Sequence, residues 1–458
     1  MDKQERRKNM MMTDPISKVI PKMAIPTIVA FLINSIYSLA DTYFVSSLGT
    51  NATAAVSVNG SLDQIILMTG SLLALGANSF VARLLGAKKE QEANEVLSTA
   101  WFIALGFGTI LMILGLTFMT PMVRMLGATP TCEQYSIDYA KYVLLAAPFM
   151  ATSFVMNQCL RAEGSALLSM IGMGFGGILN CFLDPIFIFD LGMGVAGASL
   201  ATAISKLVSF GILIFPYLTK RSLLRLSIRN FRLNWGMLAE IARIGSSSMF
   251  RSALAVISAI IVNNLAGNMS DAVLAGIGVT NKVMMFPFGI VLGFGSGFQP
   301  VAGFNWGAGR YDRVRESYRF SSRMAFIGAA ILGALICLFA EPLIGVFSET
   351  DAEMLKIGAL CIRLQAIALP LHAWGAVVNM FCAGLGYAKG ALLLSTARQG
   401  TCFLPIIYPL THFFGVYGLI AAQSIADILT LGLAIPLILL VLRRVDEAEQ
   451  QANVHTCN

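Results

Sequence analysis

GGILNCFLDPIFIF, residues 176–189, lies in a hydrophobic segment long enough to cross a bilayer, yet it carries Asn180 and Asp184 at its middle with Pro185 directly behind. An ionised carboxylate in hydrocarbon costs about 3 kcal/mol or more, so residues of this kind face a polar cavity and mark an ion or substrate path. Asn180 and Asp184 stand four apart and share one helix face. Pro185 has no N–H to give the carbonyl of Cys181, which leaves that oxygen open to another partner. The stretch therefore predicts a polar notch inside the membrane. The plainer alternative is an aspartate near a helix end that reaches interfacial water.

Around this stretch, the 458 residues are 56% hydrophobic and 12% charged, with a mean hydropathy of +0.73. Soluble proteins are about 25% charged, so this chain is built for lipid. Apolar runs recur to its end, which predicts a multi-pass all-α integral membrane protein, and the alternating strands of a β-barrel are missing. The opening MDKQERRKNMMMTDPISK has no apolar core with a small-residue cleavage site and reads as no signal peptide. The net charge of +7 is placed in short loops between runs, which argues against a nucleic-acid partner. The eight cysteines are scattered singly with no CxxC pair and read as apolar fillers.

The first half holds segments near 19–47, 56–82, 96–120, 139–160, 176–189 and 195–218, with an outer loop GTNATAA between the first two. The second half holds segments near 238–266, 273–300, 324–340, 357–384, 391–412 and 417–442. Odd loops such as EPLIGVFSETDAEM nearly lack Lys and Arg, while even loops such as WGAGRYDRVRESYRFSSR are rich in them, which places both termini in the cytoplasm. The expected organisation is a first lobe 1–218, a cytoplasmic linker 219–236, a second lobe 237–444 and a cytoplasmic tail 445–458. The linker, TKRSLLRLSIRNFRLNWGM, is amphipathic enough to lie along anionic headgroups.

An internal repeat joins the halves. SFVARLLGAKKEQEANE lines up with QPVAGFNWGAGRYDRVRE, so that Gly86-Ala87 falls on Gly307-Ala308. GVAGASLATA lines up with GVYGLIAAQS, and Pro148 and Asn157 fall on Pro370 and Asn379. The offset stays near 221, which makes the halves parallel repeats about an axis along the membrane normal. Transporters built this way bind substrate between the halves and rock them to alternate access.

With this topology, Asp41 of segment one, Asp184 of segment five and Thr202 of segment six all reach about 10 Å below the outer surface at 1.5 Å per residue. Asn180 is one turn deeper, Tyr139 lies near the outer start of segment four, and Asn34, Tyr37 and Asp41 form one stripe of segment one. Two carboxylates with Asn and Thr oxygens make a hard-oxygen cage for a small cation such as sodium; alternatively, the two acids take up and release a shared proton. Positions equivalent to Asp41 and Asp184 fall in IIVNNL and CFLPII, without an acid, so one lobe is expected to carry the coupling ion and the other to move with it.

AIPTIV and SLADTYFVSSLG in segment one, LNCFLDPIFIF with GVAGASLATA, and MMFPFGIVLGFGSGFQPVAGFNWGAGRYDRVRES beyond the linker resemble the bacterial multidrug and toxic compound extrusion (MATE) transporters over about residues 15–445. The resemblance implies twelve transmembrane helices in two pseudo-symmetric six-helix bundles forming a V-shaped cleft, and export of cationic amphipathic drugs by antiport against H+ or Na+. It implies a first-lobe cation site at Asp41, Asn180, Asp184 and Thr202 with the Ala198 backbone nearby, and a bend at Pro26 when the site changes state. Tyr37, Tyr139 and Asn157 match polar positions of the same lobe. Another subset keeps acids in helices seven and ten; this chain departs from it, with Arg251 in segment seven.

Asp63, Lys206, Arg251, Lys282, Arg398 and Asp427 also fall within spans. Lys206 and Asp427 occupy equivalent repeat positions and are expected to pair across the lobe interface, the alternative being that each snorkels or closes a local ion pair. Methionines such as Met170, Met173, Met284 and Met285 offer either packing or a soft substrate wall. His372 and His412 have no metal-ligand spacing, and the glycines form no phosphate loop. The expectation is an antiporter of the bacterial cytoplasmic (inner) membrane, not an enzyme, working as a monomer among lipids with no cofactor beyond its coupling H+ or Na+. Asn34, Tyr37, Asn157, Met173 and Arg251 are its candidate substrate contacts. A flippase for lipid-linked oligosaccharides is the nearest rival, kept in play by Arg251, Lys282 and Arg398. A lipid-modifying enzyme would need clustered Asp, His or Cys, which the sequence does not present.

Overall fold

The computed structural model describes residues 3–345 and 352–457, and these form helices and connections without a strand. A short helix, α1 (Lys3–Thr13), leads into the first lobe, built from α2 (Ile16–Ser46), α3 (Thr50–Gly86), α4 (Glu90–Thr117), the short α5 (Met119–Met125), α6 (Glu133–Ala162), α7 (Ala166–Pro185) and α8 (Gly194–Leu218). The second lobe comprises α9 (Trp235–Gly267), α10 (Asp271–Gly307), α11 (Tyr311–Leu338), the short α12 (Ala340–Gly345), α13 (Ala352–Gly384), α14 (Ala388–Thr396) and α15 (Leu404–Cys457). Among the described residues, 11 helical stretches are long and apolar enough to cross a membrane, the last being a double one, 388–454. Gly415 divides it at φ 58° and ψ −133°, a conformation that only glycine adopts without strain, so the expected twelve segments are all present.

Several helices outrun the apolar segments that mark them. Helix α3 begins inside the expected loop GTNATAA, α6 begins at Glu133 and not Tyr139, and α15 continues through the expected tail. Polar turns beyond the hydrocarbon keep the helical hydrogen-bond ladder when something clamps them. Arg315 does this for α15, reaching Asp446 at 2.8 Å and Glu449 at 2.7 Å. Of the loop EPLIGVFSETDAEM, residues 346–351 lie outside the described residues, as do residues 1, 2 and 458.

The linker is an extended strap with one 3-10 turn, Ile228–Asn230, and no amphipathic helix. Its backbone is tied to the first lobe: Arg225 N donates to Asn94 Oδ1 at 2.7 Å and Arg232 N to Thr99 Oγ1 at 3.1 Å. Glu163, just past α6, accepts from Ser222 Oγ at 2.5 Å and from Leu223 N at 2.8 Å. Arg7 of α1 stands 3.6 Å from the same carboxylate, while Arg313 of α11 donates to Asp14 O at 2.8 Å. The N-terminal segment thus touches both lobes at the end of the bundle that holds the strap, here called the linker side.

The lobes meet on the linker side through glycines. A Cβ on Gly86 would lie 2.0 Å from Phe304 O, and one on Gly307 would lie 1.9 Å from Arg83 O. These contacts exchange under the repeat offset, Gly86 for Gly307 and Arg83 for Phe304, so the pseudo-twofold axis passes between α3 and α10. Nearby, Arg83 Nη2 meets Glu240 at 2.8 Å, and Ser79 Oγ donates to Ala383 O. Farther along, α2 and α10 remain in contact as far as Phe31, Ser35 and Gly289, and Asp41 lies beyond this seam. The two bundles form a V around a central cleft.

Candidate functional site

The site residues of the first lobe come from four helices, and local chemistry brings them together. Pro185 lacks an N–H, and the chain beyond it widens into a π turn, Ile186–Asp190, closed by Leu191 N donating to Ile186 O at 2.9 Å. Helix α8 seats against this turn at Gly197, where a Cβ would lie 2.6 Å from Phe187 O. Ser209 Oγ donates to Gly172 O at 2.7 Å and fixes the other end of the α7–α8 contact. Asn180 Nδ2 consequently donates to Thr202 Oγ1 at 3.2 Å.

Asp41, Tyr139, Asn180, Asp184, Ala198 and Thr202 are all buried. Asp41 Oδ1, Asn180 Oδ1 and both Asp184 carboxylate oxygens are buried without a hydrogen-bond partner. Buried polar atoms are costly when unpaired, and buried anions more so. A proton or a small monovalent cation would relieve them, and the hard oxygens of Asp41, Asn180, Asp184 and Thr202 suit sodium. Among the described residues no group of three or more His, Cys, Asp or Glu side chains is placed to hold a metal ion, so a cation here relies on the amide and hydroxyl oxygens as well.

Lys206 stands near this site, as its place in segment six implies, and Asp63 joins it, which sequence position did not reveal. Asp63 of α3 lies within electrostatic range of Asp41 and Lys206, and Lys206 Nζ stands 5.1 Å above the Tyr37 ring. The expected pairing of Lys206 with Asp427 does not occur: Arg398 Nε donates to Asp427 Oδ1 at 2.7 Å within the second lobe. These two positions face their own lobes, so each finds its partner locally.

Other candidates fall elsewhere. Asn157 Nδ2 donates to Ser169 O at 3.1 Å and its oxygen accepts from Arg161, so its side chain ties α6 to α7. The repeat position copies the bond, with Asn379 Nδ2 donating to Ala391 O at 2.7 Å. Arg161, which the sequence reading passed over, is only 2% exposed and also donates to Ser169 Oγ at 2.9 Å. Met173 Sδ is 3.9 Å from Arg161 Nη2. Asn34 and Tyr37 are half-buried on α2. Arg251 lines a second-lobe cavity of about 250 Å³.

The MatE family model matches residues 26–186 and 247–409, once in each lobe, with starts separated by the repeat offset. The chain belongs to the MatE family. The Multidrug export protein MepA of Staphylococcus aureus (strain MSSA476) is 27% identical over 434 residues, 94% of either chain. A MATE crystal structure in complex with MaL6 superposes with a TM-score of 0.92 at 24% identity, covering 98% of this chain and 100% of that one. An outward-facing multidrug resistance MATE family transporter of the MOP superfamily gives 0.90 at 24% identity, over 95% of this chain and 98% of that one. In this MatE chain α2 runs through Pro26 without leaving helical conformation, although the missing N–H deprives Lys22 O of its usual donor.

Proposed function

We propose that this MatE-family protein is a cation-coupled antiporter that exports cationic amphipathic drugs and toxic compounds across the bacterial cytoplasmic membrane by alternating access. The observation that carries the reading is the set of unpaired oxygens on Asp41, Asn180 and Asp184, all buried in the first lobe. The MepA relative is itself a multidrug export protein. The linker side is the cytoplasmic face on this reading, because the loops and strap there hold the clustered Lys and Arg.

A proton or sodium ion entering from outside neutralises Asp41 and Asp184, and Thr202 and Asn180 supply neutral oxygens to a sodium ion. A bound drug cation is drawn to the same acids, with the Tyr37 ring beside it. Occupancy by one cation weakens the other, and linkage makes the effect reciprocal. Lys206 supplies part of the counter-charge when the site is empty. Sodium and proton coupling share these residues, so the coupling ion is left to experiment.

The test is uptake of a fluorescent cationic dye into liposomes under an imposed proton or sodium gradient, comparing wild type with Asp41→Asn and Asp184→Asn. Transport by wild type and its loss in both variants supports the reading, and the effective gradient names the ion. Undiminished transport by the variants would move the cation site elsewhere, with Asp63 next in line. Absence of transport in wild type under either gradient would end the export reading.

A further inference from the structure

The second lobe holds a polar centre that the coupling site does not use. A cavity of about 250 Å³ is walled by second-lobe residues alone, among them Arg251, Phe288, His372, Arg398 and Asp427. Phe288 and Leu292 are the neighbours in α10 of Gly289 and Gly293, which abut Phe31, Ser35 and Ile28 of the first lobe, so the cavity lies beside the α2–α10 seam.

Its charge is net positive. Asp427 is the cavity's sole carboxylate, and it is committed to Arg398 Nε at 2.7 Å, with His372 Nδ1 4.0 Å away. Arg398 is held further by the face of Phe288, its Cζ 4.6 Å from the ring centroid, and sits in a π turn, Ala397–Thr401. Its terminal NH2 groups make no protein hydrogen bond among the described residues. Arg251 has no acidic partner there either; its one bond is to Ser248 Oγ at 3.2 Å. Both arginines line the same cavity as His372, which places them at one centre.

The repeat sharpens the contrast. Lys206 and Asp427 are equivalent positions, and each is the counter-charge within the buried cluster it belongs to. Lys206 sits with Asp41 and Asp63 near Asp184, while Asp427 sits with Arg251 and Arg398. The same architecture carries opposite polarity on the two walls of the cleft.

We propose that this cavity binds the anionic group, a carboxylate or an equivalent oxyanion, of an amphipathic substrate whose cationic end faces the acids of the first lobe. Arg251 and Arg398 grip the anion, Asp427 orients Arg398, and Phe288 and Leu292 pack against the attached apolar ring. The substrate class is therefore zwitterionic as well as cationic. This deepens the export reading and rests on it for the direction of transport, while binding to the cavity stands apart from it.

The probes are rhodamine B, a zwitterion with a free carboxylate, and its ethyl ester, a cation with the same fluorophore. Binding is measured by fluorescence anisotropy with the full chain in phosphatidylcholine nanodiscs. Wild type should bind rhodamine B about tenfold more tightly than the ester, the scale of one charge-assisted bond. Arg251→Gln and Arg398→Gln should each erase most of that preference while leaving ester affinity within about twofold. Asp427→Asn, which removes the competing carboxylate, should increase the preference, a sign opposite to the arginine variants and not explained by misfolding. Equal binding of the two dyes by wild type would overturn the proposal, as would parallel loss of both in the arginine variants. Loss of the preference on adding phosphatidylglycerol would assign the cavity to a lipid phosphate and overturn it too. If wild type binds with the expected preference but moves neither dye under an ion gradient, the export reading fails and the anion site stands.

Discussion

Alanine in place of Gly86 or Gly307 tests whether the linker-side seam sets the conformational balance of this protein. A Cβ at these positions would lie 2.0 Å from Phe304 O and 1.9 Å from Arg83 O, both backbone atoms of the opposite lobe. No rotamer change relieves such a contact; the lobes must separate locally. Overpacking of this kind costs about 1–3 kcal/mol, and that cost falls only on the state in which the seam is closed. The population with lobes apart on the linker side should therefore rise about 5-fold to 150-fold for either variant. Pulsed dipolar spectroscopy between spin labels on Lys89→Cys and Arg310→Cys, one exposed turn on each lobe, reads that separation directly. Gly328→Ala, where no atom lies within 4 Å of the new Cβ, is the control and should leave the distance distribution alone. An unchanged distribution in both seam variants would refute the assignment of the seam as the bistable contact.

Two further outcomes follow from polar groups outside the coupling site. Burial pushes the Glu163 carboxyl up, more strongly than Ser222, Ser165, Arg7 and Leu223 pull it down. The folded protein then holds that proton more tightly than the unfolded chain, so its contribution is full below the ordinary glutamate range and lost as pH rises through the raised value. Glu163→Gln should lower Tm, costing about 1–3 kcal/mol through donors left unpaired, and the gap to wild type should narrow with rising pH; a gap independent of pH counts against it. The matched asparagines should differ in a thermal melt. Asn379→Ala, which loses its bonds to Ala391 O and Ser395 Oγ, should cost about 1–2 kcal/mol, and Asn157→Ala about 1–2 kcal/mol more because the acceptor it removes serves the buried, charged Arg161; equal losses would show that Arg161 finds another partner.

The twelve segments, the duplication and the Asn180–Asp184 notch were legible because each is a local signal: apolar length, a constant offset, an acid inside hydrocarbon. Helix ends were not, since α3 and α6 extend past their apolar cores on tertiary support that no window of sequence contains. The strap's conformation was not legible, because its alternation of Arg with Leu and Ile says nothing of the backbone donors it gives to Asn94 and Thr99 of the first lobe. Asp63 was visible as an intramembrane acid, but its place beside Asp41 depends on how α2 and α3 pack. Lys206 and Asp427 show the limit of reasoning from a repeat: equivalence under an axis says that two residues occupy matching places, and contact requires those places to lie on the axis. Gly86 and Gly307 do lie there; Lys206 and Asp427 do not.

On the proposed function, helix α2 links the level of the acids to the level of the lobe seam. It carries Asp41 toward the far side, and Ala24, Ile28, Phe31 and Ser35, its half of the lobe seam, toward the linker side. Ile28 and Asp41 are thirteen residues apart, about 20 Å along the axis. Over that length a helix passes on displacement only if its hydrogen bonds hold, and the donors missing from α2 lie at Pro21 and Pro26, at the linker-side end and away from the acids. The stiff portion of α2 thus runs from Asp41 down to the seam, and the weak point lies at its inner end. On the proposed function, neutralising Asp41 changes how this stiff portion packs against α7 and α8, and the change reaches Gly289, Gly293 and Gly297 of α10 as a rigid shift. The glycine contacts give that shift two discrete outcomes, closed or apart, because backbone atoms at such separations have no softer intermediate packing. Coupling of about 1–3 kcal/mol between cation and cleft needs nothing beyond that one helix and that one seam.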